Sequence, residues 1–278
     1  MAMDETSSSA RRAALVAFLV LTPLGFLALV LARPEADARW QSHPGHFWLV
    51  LIASLISLGL GYSVNAAARR RRDTRLFLVS LAFMGSAGFL GLHALATPGV
   101  LLGRNAGFEL ATPVGLVVAG GLAGLSSLEL SHDGAARIIR HGHLLLGALL
   151  ALLALWGGVS LAEAWPLDRP LEGEVLDGWQ AALAAAGVAL YGAATLGYYR
   201  LFRRRRSGVA FAVAFAFALL AEAMIVIAWA RNWRLSWWEW HVLMLLAFLV
   251  VASPPAVSGT KSASALCTST RPSPARRT

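Results

Sequence analysis

Apolar stretches of about the same length recur along this chain, divided by short polar segments. A helix needs roughly 20 predominantly apolar residues to cross the hydrocarbon of a bilayer. Eight stretches meet that requirement: residues 13–32, 47–67, 76–99, 109–130, 144–162, 178–199, 208–230 and 237–252. The last is short, but it opens in Trp237, Trp238 and Trp240, and indole rings anchor helices at the headgroup level. The pattern predicts an all-α, polytopic transmembrane helix bundle of eight spans over residues 13–252. A cytoplasmic N-terminus (1–12) and a basic tail (253–278) flank it. The tail is rich in Ser, Thr, Ala and Pro with no acid, and such a composition predicts disorder. Arg11 and Arg12 before the first stretch also suit a signal peptide. Its apolar run exceeds the usual 7 to 15 residues of a signal core, which favours a span; cleavage would leave seven.

Composition strengthens this reading. The chain is 57% hydrophobic and 14% charged, whereas soluble domains carry about 25% charged residues. The net charge of +9 is concentrated in short arginine blocks between apolar stretches, so it reads as membrane topology and not as a nucleic-acid interface. With the N-terminus inside, 18 of the 24 basic residues fall on one side, among them Arg69 to Arg72, Arg75 and Arg203 to Arg206. Glu163, Asp168, Glu172, Glu174 and Asp177 gather in a loop on the other. Eight spans with both termini cytoplasmic, in the plasma membrane and in contact with the lipid bilayer, satisfy the positive-inside rule. Cys267 stands alone, which excludes intrachain disulfides and cysteine metal ribbons. Lys261 is the only lysine and lies in the tail, so a retinal Schiff base is excluded.

An ionisable side chain in hydrocarbon costs at least a few kcal/mol by insertion scales and needs a partner, a cavity or an interfacial position. Glu222 lies 14 residues past the start of its span at 208, roughly 21 Å from that end. It is a candidate for ligand or proton handling, with a protonated glutamate bonded to a neighbouring helix as the plainer alternative. His46 precedes the second span at its outer end. His93 follows Arg75 by 18 residues, about 27 Å of helix, and so reaches the same outer depth. His241 opens the eighth span there beside Glu239, and Glu109 opens the fourth. His46, His93 and His241 are therefore candidate metal ligands, and His93, His241, Glu109 and Glu222 candidate ligand-binding residues. Neutral imidazoles hold zinc, copper, iron or haem, so a metal ion or a haem is the cofactor they would take. No HExxH and no His pair at i, i+4 supports this further. On the opposite side, His132, His141 and His143 read as residues of a solvated loop. Ser63 and Asn65 read as helix-to-helix hydrogen bonders. Gly85, Ser86, Ala87, Gly88 and Gly91, then Gly120, Gly121 and Gly124, then residues 181–187 are small faces for close packing.

Three blocks carry a resemblance: Arg75 to Leu102 (RLFLVSLAFMGSAGFLGLHALATPGVLL), Asn105 to Val117 (NAGFELATPVGLV) and Ser236 to Ala247 (SWWEWHVLMLLA). They resemble the N-terminal multi-span region of actinobacterial membrane-bound adenylate/guanylate cyclases and related signalling proteins. The resemblance covers most of the membrane region, with GLHALATPG and WWEWH the most specific parts. It implies a sensor or membrane anchor, and it gives His93, Glu109 and His241 a place in the shared blocks without naming their ligand. A cyclase domain needs well over 100 residues, more than residues 253–278 provide. The expectation is thus a receptor subunit acting on a cytoplasmic signalling protein in trans, or a relative without the catalytic domain.

Two other classes compete with a non-enzymatic sensor that also forms a homodimer or engages such a partner. A membrane-embedded metal hydrolase, loosely similar to the seven-span ceramidase and adiponectin-receptor-like group, would use zinc with Glu109 or Glu239 as base. A transporter or haem-bearing carrier would use Glu222 as proton site, or two of His46, His93 and His241 as axial ligands. No catalytic motif such as a P-loop, GxSxG or HRD occurs, which favours the non-enzymatic reading.

Overall fold

The computed structural model describes residues 18, 20–171 and 178–252, with the main chain alone at 178 and 179. The proposed N-terminal segment, the start of the first predicted span and the basic tail lie outside the described residues. Among those residues the protein is all-α. The helices are α1 (Val20–Ala32), α2 (His43–Arg71), α3 (Thr74–Leu95), α4 (Ala106–Ser127), α5 (His132–Arg140), α6 (Gly142–Leu161), α7 (Gly178–Arg205), α8 (Gly208–Trp229) and α9 (Leu235–Ala252). Seven of them, α2 to α4 and α6 to α9, are long and apolar enough to cross a membrane, and the chain is a multi-pass membrane protein. The stretch predicted as the first span is described only as the shorter apolar helix α1.

Short polar residues between the apolar runs start the helices. Ser42 Oγ accepts from Gly45 N, Asp73 Oδ1 from Leu76 N and Asn105 Oδ1 from Phe108 N, each satisfying an N–H that the first turn leaves without a helical partner. Helices α2 and α7 run on beyond the predicted spans through Arg69 to Arg71 and Arg203 to Arg205. Arginine is a good helix former, and its charge opposes the negative end of the helix dipole.

Six helices form a ring in which α2 packs on α3, α3 on α4, α4 on α7, α7 on α8, α8 on α9 and, only sparingly, α9 back on α2. Helix α3 is enclosed on nearly every side and meets α8 and α9 through Phe83, which packs on Phe217 and Phe248. Helix α6 covers α3 from outside, with Leu149 and Leu153 over Gly85 and Gly88. The small faces let these helices approach. A Cβ at Gly115 would collide with Phe89, and one at Gly187 would come within 2.6 Å of Met224. Gly91 faces Ser54 and Gly120 faces Leu190, whereas Gly121 faces nothing within 4 Å. Asn65 donates to Ser80 Oγ across α2 and α3, as helix-to-helix bonding requires; Ser63 instead bonds back to Gly59 O of its own helix. Trp48, Ile52, Leu55 and Ile56 of α2, and Leu144, Leu150 and Leu155 of α6, point outward as a lipid-facing surface.

The segment predicted as a loop around His132 is the helix α5. Ser131 Oγ caps it by accepting from Gly134 N, Asp133 lies in its first turn, and Arg137 and Arg140 lie in its last. This charge order matches the helix dipole, and it outweighs the polarity that suggested a loop.

Candidate metal centre

The three histidines predicted at one depth come together at the bundle end opposite the arginine blocks. His46 stands in the first turn of α2, where its N–H donates to Ser42 O, His93 in the last turn of α3, and His241 in the second turn of α9. They are 0%, 3% and 7% exposed, so bulk water does not reach them. The ring centroids lie 5.1 Å apart for His46 and His93, 5.1 Å for His46 and His241, and 5.7 Å for His93 and His241. One nitrogen from each ring can be chosen such that all three lie within 4.8 Å of one another, and no carboxylate or thiol belongs to that group.

Hydrogen bonds assign the tautomers. His93 Nδ1 lies 2.7 Å from Phe108 O and His241 Nδ1 lies 3.1 Å from Trp237 O. A carbonyl only accepts, so both Nδ1 atoms carry the proton and donate. His46 Nδ1 lies 2.9 Å from Thr97 Oγ1, whose own proton is donated to Ala94 O at 2.6 Å. Thr97 Oγ1 therefore accepts, and His46 Nδ1 donates as well. Each neutral ring is left with an unprotonated Nε2. The His46 and His241 Nε2 atoms face each other at 3.0 Å, and His93 Nε2 has no hydrogen-bond partner. Three Nε2 atoms thus converge in a dry interior, two of them only 3.0 Å apart. A second partner on the other ring nitrogen is what orients histidines that bind metals, and each of these rings has one.

Aromatic rings enclose the cluster. Trp240 stacks on His241 at 3.4 Å, Phe108 stacks on His93 at 4.2 Å, and Trp237 lies 4.8 Å from His46 and 4.4 Å from His241. The wall is held by the segment before α2. Asp37 accepts from Ser236 N at 2.9 Å and from Ser236 Oγ at 2.8 Å, Trp40 N donates to Trp233 O, and Leu235 N donates to Ala38 O. These bonds tie α9 to the start of α2 where the two helices otherwise touch little.

Glu109, Glu222 and Glu239 stand apart from the histidine nitrogens. Glu109 Oε2 accepts from Leu171 N at 2.8 Å and secures a loop. Glu222 of α8 is buried, and its Oε2 has no hydrogen-bond partner; nor has Oε2 of the half-buried Glu239. His132, His141 and His143 are exposed. Sequence reasoning missed Thr97, Phe108 and Trp237. Thr97 follows His93 by four residues within GLHALATPG, and Trp237 precedes His241 by four within WWEWH, so helical spacing was the available signal. The Phe108 carbonyl left none. Comparison with known proteins gives no matching family model and no significant match among curated proteins or solved structures.

Proposed function

We propose that the protein is a plasma-membrane receptor that binds a transition-metal ion through His46, His93 and His241 at the outer end of its bundle, and that passes the binding event to a cytoplasmic partner. The observation that carries this reading is the convergence of three Nε2 atoms from rings whose Nδ1 atoms are each held by a partner. Around one ion with metal–nitrogen bonds of 2.0 to 2.1 Å, three nitrogens stand about 3.4 Å apart. The cluster needs only a small contraction from its 4.8 Å limit to reach that arrangement.

The sensor role draws on the ring's one weak seam. Helices α2 and α9 pack sparingly along their length and are tied at the outer end through Asp37 and Ser236, where His46 and His241 face each other. Toward the arginine-rich end they border an apolar cleft lined by Leu60, Val64, Phe248 and Val251. An ion binding all three rings draws α2, α3 and α9 together at one end and biases the separation at the other. A hydrolase is disfavoured because Glu109 bonds to Leu171 and neither it nor Glu239 joins the ligand group. A bis-histidine haem needs its two nitrogens about 4 Å apart on opposite faces of a porphyrin. The 3.0 Å between His46 and His241, and the rings of Trp237, Trp240 and Phe108, do not suit it.

Two measurements test the reading. The purified full-length protein should hold one metal ion per chain after loading, and should lose it in His93→Ala. With Cys267 replaced by Ser, spin labels at positions 60 and 251 should change their separation when metal is added; an unchanged distance would reduce the protein to a metal binder without signalling.

A further inference from the structure

We infer that the ion bound here is monovalent copper, held by three imidazoles without a water ligand. The inference rests on the metal reading above and deepens it. Four features of the site point in one direction. The ligand set is neutral, with three Nε2 lone pairs and no carboxylate or thiolate in the group to cancel charge. The site is dry, with all three histidines buried. The cost of placing an ion in a low-dielectric interior grows with the square of its charge, so a divalent ion costs roughly four times as much as a monovalent one when no anion accompanies it. Coordination number agrees. Zinc takes four ligands and, at a three-histidine site, completes its shell with water or substrate. Here the surroundings of the nitrogens are taken by Trp237, Trp240 and Phe108, packed on the rings that would bind the metal. A filled-shell monovalent copper ion is content with three ligands in a plane, which is the number of nitrogens that converge. Lastly, indoles crowd the site. Trp233, Trp237 and Trp238 all lie within 6 Å of the His46 ring, so a bound water would find few partners among these apolar rings.

The hydrogen bonds of the other ring nitrogens support the same ion. The partners are two backbone carbonyls and a threonine hydroxyl, each accepting a proton from an imidazole. A carboxylate at that place would push electron density onto the ligand and supply negative charge, as it does at many zinc sites. None does so here.

The test uses the full-length protein in detergent, stripped by chelation and handled without oxygen. Monovalent copper is delivered from its bicinchoninate complex, and zinc is titrated against a fluorescent chelator. One copper per chain should transfer to the protein, with an affinity at least 100-fold above that for zinc. After exposure to air the copper should stay silent in electron paramagnetic resonance, and X-ray absorption should report three nitrogen neighbours. His93→Ala should abolish transfer while the protein still elutes as a single species. His93→Asp adds the missing negative charge and should lower the copper-to-zinc preference at least 10-fold; this holds the inference to account even if the alanine variant does not fold. If zinc binds one per chain at least as tightly as copper and is lost in His93→Ala, the metal-binding reading stands and monovalent copper is wrong. If the preference is unchanged in His93→Asp, the charge argument is wrong. If neither metal binds in a histidine-dependent way, both readings fall.

Discussion

Six of the seven histidines divide into two trios at opposite ends of the bundle, and they could hardly be treated more differently. His46, His93 and His241 come from three different helices, are buried, and have their Nδ1 atoms engaged. His132, His141 and His143 lie within one short stretch, are exposed, and sit among Asp133, Arg137 and Arg140. His132 approaches Asp133 only at 4.0 Å, with both side chains almost fully in solvent. Proximity in sequence makes no site. What converts a histidine into a candidate ligand is a fixed acceptor on one nitrogen and a shared point of aim for the other, and only the bundle's interior provides both.

The sharpest way to break this comparison is to remove single members of the buried trio. His46→Ala, His93→Ala or His241→Ala should each weaken metal binding by about 100-fold or more, read by equilibrium competition on purified protein, because two imidazoles cannot enclose an ion. A variant with unaltered affinity would dissolve the distinction between the trios. A second test asks whether burial without convergence has its own consequence. Glu222 is buried and has one oxygen without a partner, yet it does not join the histidines. Glu222→Gln should accumulate in membranes at normal levels, whereas Glu222→Lys should fall several-fold, since a cation near mid-bilayer costs about 2.5 to 3.5 kcal/mol on insertion scales. Equal accumulation on a quantitative blot would show that the position is hydrated.

How far the sequence revealed all this differs between the two ends. Span lengths were legible because hydrocarbon thickness sets them, and the seven long helices coincide with seven of the eight predicted stretches to within a few residues. The common depth of the three histidines followed from counting rise per residue from the arginine blocks. Their adjacency did not, because it needs α9 to close the ring onto α2, a contact between residues nearly 200 positions apart such as His46 and His241. Depth alone also assigned Glu109 to the same cluster. Its place in the first turn of α4 turns its carboxylate to the loop at Leu171, a direction that helix phase and not depth decides. The helix at His132 was hidden for another reason. It is short and polar overall, held by its Ser131 cap, by Ile138 and Ile139 packed on the core beside α3, and by the bond from Thr74 Oγ1 to Ala135 O, and nine residues are too few for that apolar face to stand out in the sequence.

A subtler change keeps all three ligands and removes one support. Thr97→Val leaves the volume of the side chain nearly intact but takes away the oxygen that accepts from His46 Nδ1. The imidazole can then rotate or shift its proton to Nε2, and metal affinity should drop about 10-fold. Thr97→Ser should restore most of it, because the hydroxyl returns. Equal affinity in Val and Ser variants would mean that packing, and not the hydrogen bond, aims the ring.

The smallest effect is expected at the opposite end, and it is the control on which the contrast depends. Replacing His132, His141 and His143 together by Ala removes as many imidazoles as the buried trio contains. None of the three contributes buried surface, and the helix keeps its Ser131 cap, Asp133 and terminal arginines. Exposed substitutions of this kind usually change stability by no more than about 0.5 kcal/mol. Metal affinity, membrane accumulation and thermal unfolding of the triple variant should therefore match the parent within error. A loss of high-affinity metal binding in the triple variant would place the ligands among the exposed histidines, and burial with a fixed tautomer would no longer separate the two ends of the molecule.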